Sequence, residues 1–203
     1  MGKIVVINHL TLDGVMQAPG RVDEDRRGDF QYGGWASGNN DRVMGSILGE
    51  RMAQGGPLLL GRRTYENFAA FWPKQADNPF TTALTNTQKY VASTTLQEPL
   101  PWSNSTLLNG NVAEAVANLK DQVDKDLVVM GSGKLVRSLM PHNLIDEYIL
   151  MIHPLVLGTG QTLFTDSGLS ATLQLVDAKA TTTGVIITTY RSTQSTAARN
   201  SYS

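Results

Sequence analysis

The sequence predicts an α/β fold in which a mostly parallel sheet is covered by helices and finished by an antiparallel hairpin. Up to Met140, short apolar runs typical of buried strands alternate with helix-forming stretches. After Met140, strand signals follow one another without an intervening helix, which is typical of hairpins. No repeat or linker divides the chain, so we expect one domain over residues 1–192 and a disordered tail over 193–203.

The first strand, Lys3–Leu10, carries a continuous apolar run, which indicates a central strand with both faces covered. It ends before Asp13-Gly14, a dipeptide typical of turns. Gln17–Gly38 then shows little periodicity, and so long an irregular stretch in a compact domain often forms a lid or binding loop. Its aromatic residues favour a loop that partly faces a ligand, and an ordinary surface loop is the alternative.

Helical periodicity returns in Asn39–Gln54, with Asn40 or Asp41 as its cap. Pro57–Gly61 is a short buried strand, followed by a helix to about Ala70. The next stretch, Phe71–Thr87, contains two prolines and predicts at most one helical turn. Further strands are predicted at Lys89–Ser93, Ser105–Leu108, Leu127–Met130, Glu147–His153, Leu163–Phe164, Leu173–Ala180 and Val185–Arg191, and further helices at Val112–Val123 and Lys134–Met140.

Composition limits the classes of function. The 203 residues carry a formal net charge of −1, which gives no electrostatic basis for binding nucleic acid or an anionic membrane. Cysteine is absent, which excludes thiolate nucleophiles and Cys-ligated metals, and no other spacing indicates a metal site. No run approaches the ~18 apolar residues of a membrane span, and the strand-like amino terminus argues against a signal peptide. We therefore expect a cytoplasmic protein.

Two strand–glycine–helix junctions are candidates for anion binding. At Gly61 the first turn of the next helix offers free N–H groups, and Arg62 and Arg63 add two cations suited to phosphate. An ordinary junction with two solvated arginines is the alternative. The second junction is Gly131–Gly133, and parallel strands bring both to one edge of the sheet. Together they suit a pyrophosphate, although neither is a G-x-G-x-x-G fingerprint or a P-loop.

Five segments in this order resemble the dihydrofolate reductase-like superfamily: INHLTLDGVMQAPG, LLLGRRTYE, KYVAST, VVMGSGKLVRSL and HPLVLGTGQTLF. The branch they resemble most is the reductase domain of the bifunctional riboflavin-biosynthesis deaminase-reductase. The resemblance covers residues 3 to about 192. It implies a three-layer α/β/α dihydrofolate reductase-like fold, NADPH as the hydride donor and a homodimer.

The resemblance also implies a set of cofactor contacts. Family members hold NADPH at the ends of several strands, and the backbone of His9 would hold the carboxamide. The matching residues are Gly61, Arg62, Arg63 and Thr64 for the pyrophosphate and adenosine side, Ser93 and Thr94 for the 2′-phosphate, Gly131, Ser132, Gly133, Lys134 and Leu135 for the diphosphate and nicotinamide ribose, and His9, Gly14 and Met16 beside the nicotinamide.

The substrate would lie between the nicotinamide and the loop, with Trp35 or Phe30 as a wall. Asp13 is the candidate catalytic residue, in a polar or proton-relay role, and a turn-holding role is its alternative. His142 and His153 are expected to be structural, because no metal-ligand spacing surrounds them.

Dihydrofolate reductases carry a carboxylate on the first helix at the position of Gly45, so dihydrofolate itself is not expected to be the substrate. We expect hydride transfer to a small pterin- or pyrimidine-like heterocycle. The related activity is 5-amino-6-(5-phosphoribosylamino)uracil reductase, although the zinc-binding deaminase motifs are absent. A non-catalytic NADPH-binding sensor or partner-binding dimer on the same fold is the alternative.

Overall fold

Eight strands form one sheet in the computed structural model, which describes residues 2–54, 56–165 and 170–193. The strands are β1 (Ile4–Thr11), β2 (Leu58–Gly61), β3 (Lys89–Ala92), β4 (Ser105–Leu108), β5 (Leu127–Met130), β6 (Glu147–His153), β7 (Leu173–Ala180) and β8 (Ile186–Ser192). The α-helices are α1 (Arg42–Ala53), α2 (Arg62–Phe71), α3 (Pro79–Asn86), α4 (Val112–Gln122) and α5 (Gly133–Leu139).

The strand order across the sheet is β4-β3-β2-β5-β1-β6-β8-β7. All pairs from β4 to β6 are parallel. The last two pairs, β6 with β8 and β8 with β7, are antiparallel. This confirms the predicted mostly parallel sheet with an antiparallel carboxy-terminal hairpin.

The continuous apolar run of β1 arises because both of its faces are buried. Ile4 and Val6 pack into a cluster with residues of α4 and α5. Val5 and Ile7 point the other way, into a cluster with residues of α1, α2 and α3. Since successive strand residues alternate between faces, each half of the run supplies one core layer. The three-layer α/β/α arrangement is therefore confirmed.

The sheet opens at the carboxyl ends of its central strands. The pairing of β1 with β5 ends at Ile7 and Met130, whereas the pairing of β1 with β6 continues to Thr11 and His153. On the far side of β5, β2 shares with it only the register pair of Leu58 and Val128 in the described chain. Ligands bind beyond such strand ends in open parallel sheets, so this edge is the candidate ligand cleft.

The predicted strand at Leu163–Phe164 is wrong. The structure has an isolated bridge between Val15 and Thr162 in this region, and no strand. Leu163 is fully buried in the core, which explains its apolar character. The Arg137 guanidinium donates hydrogen bonds to the carbonyls of Thr162 (2.9 Å) and Leu163 (3.2 Å). A side chain therefore pairs the backbone groups that a neighbouring strand would have paired.

Sequence patterns underestimated the helical content of Phe71–Thr87, where α3 spans two turns. Asn78 accepts hydrogen bonds from the N–H groups of Phe80 (2.9 Å) and Thr81 (3.1 Å), and Thr81 Oγ1 accepts one from Asn78 N–H (2.9 Å). Pro79 occupies the first helical position, where its missing N–H costs nothing. The proline therefore starts this helix rather than preventing it.

We expect Asn78→Ala to destabilise the protein by about 1 kcal/mol, because two first-turn N–H groups lose their acceptor. Chemical denaturation of the two proteins measures this difference. Thr82→Ala, at an exposed position of the same helix, is the matched control and should change stability much less. Equal losses in both variants would show that the cap contributes nothing specific.

Three expectations have no direct test here. Residues 194–203 lie outside the described chain, so the disordered tail stays a prediction for them. Thr193, the first residue of the predicted tail, donates hydrogen bonds from its N–H (3.3 Å) and its hydroxyl (2.7 Å) to the Thr172 carbonyl. The single domain over residues 1–192 and the cytoplasmic location also stay predictions. Within the described ranges, every helix is too short or too polar to cross a membrane.

Candidate cofactor and substrate site

The two predicted anion-binding junctions meet in space. Ser132 Oγ accepts a hydrogen bond from Gly61 N–H (3.0 Å) and donates one to Thr64 Oγ1 (2.9 Å). Ser132 N–H in turn donates to Thr64 Oγ1 (3.1 Å). Since β2 and β5 share a single register pair, these hydroxyl groups join the two strand ends. The sequence indicated both junctions and did not indicate this link.

The shape of the second junction depends on close backbone approaches. Gly131 has φ +61°, and a Cβ there would lie 3.4 Å from the Thr64 side chain. A Cβ on Gly133 would lie 2.6 Å from Met16 Sδ, closer than such atoms approach, so Met16 packs directly against this turn. Predicted cofactor residues from β1, β2 and β5 therefore share one surface.

The first turn of α2 has no side-chain cap, since its N-cap is Gly61. Uncapped N–H groups at a helix start are suited to bind an anion. Arg62 pairs with Glu66 one turn along (3.2 Å). Arg63 is exposed and forms no hydrogen bond or ion pair with the described residues. Arg63 is therefore the more available cation of the two.

The other predicted cofactor residues differ in what they can offer. Ser93 Oγ accepts hydrogen bonds from the N–H groups of Thr95 (3.1 Å) and Leu96 (3.0 Å), which holds the turn after β3. Its hydroxyl hydrogen remains able to donate, and the neighbouring Thr94 is exposed. Lys134 is exposed, whereas Leu135 is buried in the core. Leu135 thus offers its backbone rather than its side chain.

Gln17, which the sequence did not indicate, organises the long loop at Gln17–Gly38. Its buried amide donates to the carbonyls of Asp25 (3.1 Å) and Arg27 (3.0 Å) and accepts from Gln161 N–H (2.9 Å). Arg21 then ties the loop to α2 through a hydrogen bond to Asn67 Oδ1 (2.9 Å). Hydrogen bonds thus hold the loop against Gln161, in the segment after β6, and against α2.

The two predicted substrate-facing aromatics lie in different surroundings. Phe30 is 4% exposed and packs with Val15 and Ala18 in a small cluster under the loop. Trp35 is half-buried, and its Nε1 donates to the Gln17 carbonyl (2.7 Å). Its ring meets His153 edge-on at 5.1 Å between centroids. Trp35 therefore retains exposed surface, whereas Phe30 supports the loop from beneath.

Two histidines lie against each other at the ends of β1 and β6. His9 Nδ1 and His153 Nε2 are 2.9 Å apart, and His153 Nδ1 is 3.3 Å from Asn39 Nδ2. Burial and the nearby His153 together lower the pKa of His9 to about 4, and burial lowers the pKa of His153 to about 4. Both rings are neutral at pH 7. Within the described chain, no three His, Asp or Glu side chains are placed to share a metal ion.

Asp13 is fully engaged by its neighbours. It accepts hydrogen bonds from the hydroxyl of Thr11 and from the N–H groups of Leu157 (3.3 Å) and Gly158 (2.7 Å). Gly14, with φ +79°, closes the turn by donating to the Thr11 carbonyl (2.9 Å). These contacts match the turn-holding alternative for Asp13, because the carboxylate joins the β1 turn to the loop after β6.

We expect Asp13→Asn to lower the melting temperature by about 2 °C at pH 7. The hydrogen bond from the Thr11 hydroxyl is the main cause that lowers the pKa of the Asp13 carboxyl; burial opposes it, and the backbone N–H groups lower the pKa further. A carboxyl whose pKa is lowered by folding stabilises the protein above its ordinary value of 3.8 and loses this contribution as the pH falls through the lower folded value. Thermal melts at pH 7 and pH 3 should show a smaller difference in melting temperature between wild type and Asp13→Asn at pH 3. A constant difference would contradict the assignment.

These features define a class of protein: the dihydrofolate reductase-like α/β fold, with a cleft at its strand ends. Solved structures support this class. A Shewanella sp. PV-4 protein assigned to riboflavin biosynthesis superposes with a TM-score of 0.69 at 21% identity, covering 96% of this chain and 100% of its own. Dihydrofolate reductase from Enterococcus faecalis, complexed with NADP(H), gives a TM-score of 0.57 at 15% identity, covering 94% and 96%. At these identities the likeness concerns the fold.

The family model of the RibD C-terminal domain matches residues 3–187. The chain therefore belongs to the RibD C-terminal domain family, and it has the reductase-type fold of a family related to riboflavin biosynthesis. YyaP of Bacillus subtilis (strain 168) is 29% identical over 167 residues, which are 77% of this chain and 88% of that protein. The resemblance stated from the sequence motifs is thus confirmed.

Proposed function

We propose that the protein is an NADPH-dependent reductase that transfers hydride to a small heterocycle. The observation that carries this proposal is the meeting of the Gly61 and Gly131–Gly133 junctions beside the end of β1. Two turns that can each bind an anion, joined by the hydrogen bond between Ser132 and Thr64, suit the two phosphates of a pyrophosphate. The strand edge beyond Ile7 suits the flat group at the other end of a dinucleotide.

The residues present fit this cofactor. The uncapped start of α2 and the exposed Arg63 would hold phosphate groups, with Ser93 and Thr94 near the 2′-phosphate. The glycines of the second turn let Thr64 and Met16 pack directly on its backbone, which holds the turn close to the start of α2. Bound NADPH would supply the hydride. The chain itself orients the two partners and excludes water with the Gln17–Gly38 loop.

We infer that the substrate is a small heterocycle, pterin- or pyrimidine-like, and not dihydrofolate itself. The first helix has Gly45 where dihydrofolate reductases carry their carboxylate. The nearest acids are committed elsewhere, since Asp41 accepts from Val43 N–H (2.6 Å) and Thr182 N–H (3.0 Å), and Glu50 accepts from the Ser46 hydroxyl (3.3 Å). The proposed activity is related to that of 5-amino-6-(5-phosphoribosylamino)uracil reductase.

The test begins with the purified protein and NADPH. We expect NADPH to raise the melting temperature, because a ligand that binds only the folded state stabilises it. Oxidation of NADPH is then followed by the loss of its ultraviolet absorbance, with pterins, pyrimidinediones and quinones as candidate acceptors. An unchanged melting temperature at millimolar NADPH would contradict the proposal. Binding without turnover across the panel would favour the non-catalytic sensor instead.

We also propose that a second copy of the chain covers the hairpin. β7 is exposed along almost its whole length, including Leu175 (52%) and Val176 (47%), and Ile186 of β8 is 46% exposed. An apolar edge strand of this kind favours pairing with another chain. Sedimentation velocity should show a dimer, and Val176→Lys should shift it to a monomer. A monomeric wild-type protein at micromolar concentration would contradict this proposal.

A further inference from the structure

His9 holds a distinctive position in the central strand. Every residue of β1 is buried except His9, which keeps part of its surface exposed. On the side away from β6, β5 has already ended opposite Ile7, so the cleft begins here. His153, by contrast, has no exposed surface at all. The pair therefore runs from a closed interior at His153 to an open edge at His9.

The hydrogen bonds of this pair have a direction. The Asn39 amide is assigned with its nitrogen toward His153 Nδ1 (3.3 Å), and since an amide nitrogen only donates, Nδ1 is the acceptor in this arrangement. The proton of a neutral His153 must then lie on Nε2, which donates to His9 Nδ1 at 2.9 Å. With Nδ1 accepting, the proton of a neutral His9 lies on Nε2. No described residue accepts a hydrogen bond from that nitrogen.

The surroundings hold this chain of bonds in place. Two backbone hydrogen bonds anchor Asn39: its carbonyl accepts one from Thr183 Oγ1 (3.0 Å), and its N–H donates one to the Ala36 carbonyl (3.1 Å). The edge of Trp35 packs on His153. Burial keeps both imidazoles neutral, as their lowered pKa values require. A neutral ring with a fixed tautomer is a directional donor rather than a cation.

We propose that His9 binds the substrate by donating a hydrogen bond from Nε2 to a ring carbonyl oxygen or ring nitrogen, and that His153 and Asn39 are positioning residues that fix its tautomer. This inference rests on the proposed function for the nature of the ligand. A neutral donor at this place selects heterocycles that present an acceptor and rejects those that present an N–H or a positive charge, because the opposing donors would both lose their partners. No proton is transferred in this role.

The first test needs no ligand. Nitrogen NMR of the full chain with 15N-labelled histidine reports the protonated nitrogen of each ring, and the sequence has only three histidines. His142→Gln, at an exposed position, and His9→Gln assign the signals. We expect both His9 and His153 to carry their proton on Nε2 at pH 7. A His9 ring protonated on Nδ1, or doubly protonated, would overturn the inference.

The second test uses pterin and pyrimidine-2,4-dione probes in the presence of NADPH. We expect a probe to shift the His9 Nε2 signal and leave that of His142 unchanged. His9→Phe should weaken probe binding or raise its KM by roughly 3- to 10-fold, and His9→Gln, which keeps a donor, should recover most of that loss. The melting temperature of each variant shows whether it folds.

The two proposals fail in different ways. NADPH affinity is measured separately in wild type and His9→Phe, because the backbone of His9 is assigned to the cofactor and its side chain to the substrate. If NADPH binds and a probe is reduced with an unchanged KM in His9→Phe, the inference fails and the proposed function stands. If NADPH does not bind, the proposed function fails, and the absence of any His9 shift with the probes alone would overturn the inference as well.

Discussion

Arg63→Glu is expected to weaken NADPH binding by about 100-fold. Arg63 is an exposed cation beside the uncapped start of α2, and it has no hydrogen bond or ion pair with the described residues. A charge-assisted hydrogen bond is worth about 1.5–3 kcal/mol, which corresponds to roughly 10- to 100-fold in affinity, and a reversed charge adds repulsion. Because Arg63 is exposed and its charge acts on the described residues only at a distance, on the Asp25 carboxylate, we expect its replacement to leave the folded state intact. Isothermal titration calorimetry at low salt measures the effect.

The matched control is Arg42→Glu. Arg42 is an exposed arginine at the start of α1, so the variant has the same net charge as Arg63→Glu and leaves the start of α2 unchanged. It should bind NADPH almost as tightly as the wild type, because exposed charges more than about 10 Å apart are screened at ordinary salt. Titration with NADH separates the phosphates, since an effect confined to NADPH assigns Arg63 to the 2′-phosphate. Equal affinity in wild type and Arg63→Glu would contradict the cofactor assignment.

Lys89→Met is expected to cost about 3 kcal/mol of stability. The Lys89 side chain has no exposed surface, yet its Nζ donates to the carbonyls of Thr85 (2.9 Å), Thr87 (2.6 Å) and Ser103 (3.1 Å). Its charge also lies 4.3 Å from the centre of the Trp102 ring. Burial lowers the pKa of Lys89 to about 8. Part of the free energy of its three hydrogen bonds is therefore spent on removing the ammonium group from water. Methionine fills the space and leaves three carbonyls without their donor.

Urea denaturation of wild type and variant gives this difference, with Lys74→Met, at an exposed position, as the control. Two of the three carbonyls belong to the end of α3, so amide hydrogen exchange should rise first in that helix. A variant as stable as the wild type would show that relief of the desolvation cost equals the lost hydrogen bonds.

The sequence predicted most of the sheet because buried strands leave a strong signal. The continuous run in β1 and the change of pattern after Met140 both follow from burial, which depends on residue type. Leu163 carried the same signal for a different reason, since it is buried without strand pairing. Apolar character reports the environment of a side chain and does not report the partner of its backbone.

The site was predictable to the extent that glycine and arginine spacing defines it. Both junctions were found, and the Thr64–Ser132 link between them depends on strand order, which no local pattern records. His153 was predicted to be structural because nothing near it in the sequence suggests a ligand. Its partner His9 lies 144 residues away along the chain and adjacent in space. Polar pairs of this kind become visible only when the register of β1 and β6 is known.

The central place of β1 has a consequence for biosynthesis. Its first residue, Ile4, pairs with Leu127, and Val5 pairs with Glu147, so neither ladder can form until those residues have left the ribosome. At about 5–20 residues per second, the apolar run of β1 waits for roughly 6 s or longer. Nascent chains would therefore expose a β-forming segment while the residues between β1 and its two partner strands are synthesised. We expect chaperones to bind this run during synthesis. We also expect slow refolding, because β1 pairs with strands that lie far away along the chain and the contact order is therefore high.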